Sequence, residues 1–95
     1  MDNKTNKYGF REDFNWETRF DLKTEINGYV VSTVDLGLDH SLGIGAPLYY
    51  ETMIFKKDGN NIDFHDLYCK RYSTEDEARE GHQKAIEYVK NDFND

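Results

Sequence analysis

One cysteine, Cys69, and one proline, Pro47, are all that the 95-residue chain has of either type. A lone cysteine excludes an internal disulfide framework and a cysteine-based zinc site, and it suits a reducing compartment. No apolar run approaches the roughly 18 residues that a membrane-spanning helix needs, and the N-terminus carries no signal-peptide core. The expected location is therefore the cytoplasm, with no membrane attachment. Basic residues are also scarce, 12 against 19 acidic ones, for a net charge of −7. Direct nucleic-acid binding is not expected, because neutralising phosphates needs a basic face. The acidity reads first as an ordinary solvated surface and second as a decoy for a basic nucleic-acid groove. The acids are scattered, with only Glu75-Asp76-Glu77 clustered, which favours the ordinary surface.

Aromatic residues are plentiful: seven Tyr, six Phe and one Trp. They supply much of the burial available to a chain of this length, which has room for a single small core. Residues 1–15 are polar and without period, and are expected to form a flexible arm that Tyr8, Phe10 and Phe14 pin to a domain spanning 16–95. From Trp16 the chain alternates, Trp16, Thr18, Phe20 and Leu22 against charged neighbours, which predicts a half-buried strand. Asn27-Gly28 marks the following turn. A two-residue loop there sets Asp21 opposite Val34 and Glu25 opposite Val30. A three-residue loop, Ile26–Gly28, pairs Phe20 with Val34 and Leu22 with Ser32, keeps one face apolar, and is the register expected. A second hairpin turns at Asp58-Gly59, pairing Phe55 with Ile62, Met53 with Phe64 and Tyr49 with Tyr68. That register opposes Glu51 and Asp66, so the two carboxylates need a cation, a shared proton or water, or a bulge that separates them. Residues 73–92 predict a helix capped by Ser73 or Thr74, with a buried stripe of Ala78, Gly81, His82, Ala85, Ile86, Val89 and Phe93. The predicted class is α+β: a four-stranded, mainly antiparallel sheet of two hairpins with the C-terminal helix on one face.

The residues suited to chemistry gather around the segment joining the hairpins, DHSLGIGAP. Asp39 and His40 stand at a strand end, and Gly43 and Gly45 let backbone N–H groups approach an anion. Arg71 and Tyr72, just before the helix, add a guanidinium and a stacking ring, and His82 on the helix stripe faces the sheet. The structural alternatives are a capped turn at Asp39-His40, a surface ion pair for Arg71 and a satisfied core histidine at 82. The spacing matches neither a dinucleotide fingerprint nor a Walker loop. Asp39, His40, His65 and His82 are the available metal ligands, and no diagnostic spacing joins them. Ser41 and Cys69 lack a base at a diagnostic spacing, so neither metal, cofactor nor catalytic nucleophile is expected.

VSTVDLGLDH, GIGAPLYYETMIF and RYSTEDEAREGH carry a resemblance to a family of small proteins encoded by tailed bacteriophages and prophages. It runs from about Tyr29 to Val89, and Asp39, His40, Gly43, Gly45, Arg71, Tyr72, Gly81 and His82 fall on its positions. The resemblance implies an accessory role inside an infected bacterium, and no particular reaction. The expectation is a non-enzymatic binding module that counters host defence by sequestering a small anionic, nucleotide-like ligand through Asp39, His40, Gly43, Gly45, Arg71, Tyr72 and His82. The alternative is a protein-directed inhibitor of a host defence enzyme, using the acidic surface and exposed tyrosines. A metal-assisted hydrolase built on Asp39, His40 and His82 ranks third, and a homodimer is left open.

Overall fold

A computed structural model describes residues 10–59, 61–63 and 68–91. The elements run β1 (Asp21–Ile26), β2 (Tyr29–Asp35), β3 (Tyr50–Asp58), β4 (Asn61–Asp63), β5 (Cys69–Tyr72) and α1 (Glu75–Lys90). β1, β2 and β3 lie side by side and antiparallel, and β4 and β5 both pair with the far edge of β3. The sheet thus has four strand positions, the last filled in two pieces, with one helix packed on it. The predicted α+β class is the class observed.

The first hairpin uses the register set aside above. Asp21 pairs with Val34 and Glu25 with Val30, closing on a two-residue turn whose Asn27 and Gly28 have φ of 52° and 81°. Both central residues are left-handed, the geometry whose twist matches paired strands. The helix-facing rows are Leu22–Thr33–Thr52 and Thr24–Val31–Ile54. Val30 and Val34 therefore belong to the opposite face, where charge is tolerated. There Lys57 pairs with Glu25, the residue opposite Val30, and Val30 is 8% exposed on the face away from α1. A lysine stem can cover apolar surface while its ammonium group stays in water. The apolar alternation was real on both strands, but Leu22 belongs to the helix-facing side and Val30 and Val34 to the open one, so the two sets do not share a face.

β1 also starts later than the alternation suggests. Residues 16–18 turn, and Trp16 is 62% exposed, leaving the sheet to meet Phe14 edge-on at 4.9 Å. The second hairpin is shifted too: Asp58 stays paired with Asn61 and Ile62 pairs with Lys57, because Gly59 (φ 62°) takes the first turn position. Continued along β3, that pairing would place residue 66 opposite Met53, where Cys69 stands instead. The pairing slips by three residues between β4 and β5. Glu51 consequently faces Arg71, and Asp66, its expected opponent, lies outside the described residues.

Thr74 caps α1 with a reciprocal bond to Glu77, and Ala78, Gly81, His82, Ala85, Ile86 and Val89 are all buried, as predicted; Phe93 lies outside the described residues. The core is small: Val31 and Ile54 from the sheet, against Ala85, Ile86 and Val89 of the helix. Small side chains along α1 let it lie close to the sheet. Part of the expected arm joins this unit, since Phe10 bridges to Leu38 and the Arg11 amide donates to the Gly37 carbonyl at 2.7 Å.

Candidate functional site

The β2–β3 connection is held together by its own short side chains. Asp39 Oδ1 accepts from the Ser41 amide at 2.8 Å and from the Leu48 amide at 2.9 Å. These bonds, the one to Leu48 first, hold the Asp39 carboxyl below the usual carboxylate range. Ser41 Oγ accepts from the Gly43 amide at 3.2 Å, the Ile44 amide donates to the Ser41 carbonyl at 3.1 Å, and the His40 amide donates to the Leu48 carbonyl at 2.9 Å. His40 itself is half-buried. A Cβ at Gly43 or Gly45 would meet nothing within 4 Å, so those glycines are not making room for a neighbour. They serve the turn, with φ of 77° and 75°.

Leu42 is the exception within that loop. It holds φ 60° and is 90% exposed, and Ile44 two residues on is 80% exposed. A left-handed conformation costs a branched residue about 1–2 kcal/mol. Neither local geometry nor the core accounts for a leucine there.

His82 is 3% exposed and both its ring nitrogens are engaged: Nε2 lies 2.9 Å from Thr24 Oγ1 and Nδ1 lies 2.7 Å from Thr33 Oγ1. Thr33 Oγ1 continues to Thr52 Oγ1 at 2.6 Å. Burial pushes the imidazole below its usual pKa. The chain of groups explains why fully buried threonines occupy β2 and β3: they satisfy a histidine that the helix drives into the sheet.

Tyr72 shares that face. A Cβ at Gly81 would collide with its hydroxyl and ring, so the glycine is the space in which the tyrosine lies. The hydroxyl is buried, without a hydrogen-bond partner among the described residues, and burial raises its pKa. Arg71 points to the other face, where its Nε lies 2.9 Å from Glu51 Oε2.

Of the seven expected ligand residues, Asp39, His40, Gly43 and Gly45 share the β2–β3 loop, Tyr72 and His82 share the helix-facing side of the sheet, and Arg71 lies on the other side. Two cavities lie at the helix. One, of about 420 Å³, is bounded by β5 and α1, and Tyr72 lines it. The other, of about 590 Å³, opens between Arg11–Asp13, Tyr49-Tyr50 and the helix start. Asp39, His40, Gly43, Gly45, Arg71 and His82 line neither. Among the described residues no three His, Cys, Asp or Glu side chains group as metal ligands, and no helix is long and apolar enough to cross a membrane.

Arg11 is the residue that pattern reading passed over. Its guanidinium pairs with both oxygens of Asp35, which is 4% exposed, and with Asp13. It also lies 4.9 Å from the Tyr49 ring centre and 5.7 Å from that of Tyr50. The bond to Asp35 leads the causes that raise its pKa, so the charge is permanent. Asp35 Oδ1 also accepts from the Gly37 amide at 2.9 Å. Arg11 and Asp35 thus brace the stem of the β2–β3 loop. The available signal was an arginine set between Phe10, Glu12 and Asp13 in an otherwise polar arm.

No family model, curated protein or solved structure matches the chain.

Proposed function

We propose that this protein is a non-enzymatic binding module whose target is another protein, met through the β2–β3 loop. One observation carries the reading. The loop's amides at Ser41, Gly43, Ile44 and Leu48 are already bonded within the loop, while Leu42 and Ile44 face solvent. A loop built to cradle an anion keeps its amides available. This one spends these four on its own shape and presents apolar side chains instead, as contact surfaces do. The helix start has the same character, because Glu77 accepts from the Ser73 and Thr74 amides. Arg71, the expected anion ligand, is matched by Glu51.

The resemblance to small phage proteins supports a host protein as the target, and inhibition of a defence enzyme as the outcome. Sequestration of a nucleotide-like anion is the competing reading. Native mass spectrometry of protein purified from cells that produce it separates the two. The expected result is the bare chain, or the chain with a protein partner. A retained nucleotide-sized anion, lost on removing Gly43 and Gly45, would overturn the reading.

A further inference from the structure

We infer that Leu42 and Ile44 form an apolar finger that inserts into an apolar cleft rimmed by Lys and Arg side chains on the partner protein. This rests on the protein-binding reading and names the surface and the chemistry it selects.

Three observations carry it. The first is exposure: among the described residues Leu42 and Ile44 are, with Trp16, the large apolar side chains left most open to water, and they stand two residues apart on one loop tip. The second is pre-organisation. Asp39 and Ser41 tie the loop internally, and Arg11, Asp35 and Gly37 tie its stem to the arm. Gly37 has φ 73°, and a Cβ there would collide with the Phe14 ring, so the stem is packed as well as bonded. A loop whose ordering is complete before contact loses little freedom on binding. Leu42 is held at φ 60° in this frame, where asparagine or glycine would fit with less strain. The strain has no counterpart in the core and makes sense only for an apolar group displayed outward.

The third observation is charge, and it selects the partner. Every arginine near the loop stem and helix start is matched: Arg11 by Asp13 and Asp35, Arg19 by Asp21, Arg79 by Glu75. Between Lys23 and Lys56 the chain has no Lys or Arg, but it has Glu25, Asp35, Asp39 and Glu51. An apolar tip on a chain of net charge −7 is repelled by an anionic lipid surface and by a second copy of the chain. It is steered towards an apolar cleft with a basic rim.

The probe is a fluorescent amphipathic helical peptide of leucine and lysine, with a leucine–glutamate peptide of the same pattern beside it. The full chain is compared with a Leu42→Asn/Ile44→Ser double variant, which keeps the charge and suits the left-handed position. The parent should bind the leucine–lysine peptide at least tenfold more tightly than the variant does, with affinity falling as salt rises, and should not bind the glutamate peptide. The variant should melt at or above the parental temperature, since neither side chain is buried. Equal binding by both proteins would mean that charge alone acts, and would overturn the finger. Binding to phosphatidylcholine vesicles, or a dimer in sedimentation that the double variant abolishes, would overturn the choice of partner. If native mass spectrometry shows a protein partner while the peptide arm fails, the protein-binding reading stands and this surface does not.

Discussion

Arg11 and Arg71 carry the same charge in settings that give it opposite importance. Arg71 is 42% exposed and meets Glu51 across the open face of the sheet. Exposed pairs of that kind contribute about 0–1 kcal/mol, because water screens them and two long side chains must be held still. Arg11 is 16% exposed and holds Asp35, which has little water to turn to. Removing one partner of such a pair leaves a buried charge unmatched, at a cost of about 3–5 kcal/mol. Arg71→Ala should therefore shift the urea midpoint little and Arg11→Ala should lower it clearly. Equal losses would mean that the arm does not seat on Asp35. The sequence pointed to Arg71 because it adjoins the helix start. It could not point to Arg11, whose partner is 24 residues away in the chain.

At the scale of the element, α1 shows where propensity and packing compete. Gly81 sits mid-helix, where exchanging glycine for alanine normally gains about 1 kcal/mol. Here the added methyl would collide with both the hydroxyl and the ring of Tyr72. Forcing extra volume into a filled site costs about 1–3 kcal/mol, so packing wins and Gly81→Ala should be destabilising. Chemical denaturation of the full chain checks this; a more stable variant would put Tyr72 elsewhere. The helix itself was legible in detail, cap and buried stripe alike, because each signal lies within a few residues of its partner. The strands were legible as strands, but their registers were not. The first hairpin turned on Asn27 joining Gly28 in the left-handed region and the second on Gly59 taking the first turn position, and that depends on the twist of the strands already paired.

For the whole molecule, His82 couples stability to pH. Its pKa is lowered by burial, so the unfolded chain binds a proton more readily than the folded one. Stability from this group is complete above the unfolded value of about 6.5 and is lost as the pH falls from there towards the folded pKa. The maximum slope is about 1.4 kcal/mol per pH unit, large beside a core whose central cluster holds five buried apolar side chains among the described residues. The melting temperature should therefore decline from pH 7 to pH 5, and a His82→Gln chain, which cannot titrate there, should lose that decline. Matching profiles for the two proteins would assign the decline to other groups.

The sequence by itself determined the class of fold, the helix with its cap and buried face, and that Asn27-Gly28 and Gly59 mark turns. Those are local properties, written in the spacing of apolar side chains and in the conformational freedom of asparagine and glycine. Tertiary structure decided what each polar residue is for. Thr24, Thr33 and Thr52 read as strand formers until His82 reached them from the helix. Asp39 and Arg71 read as ligands in the sequence, and only the fold sets the Leu48 amide on the one and Glu51 beside the other. A side chain's hydrogen bonds and charges are satisfied by whatever the fold brings beside it, and strand pairing brings together residues the sequence holds far apart.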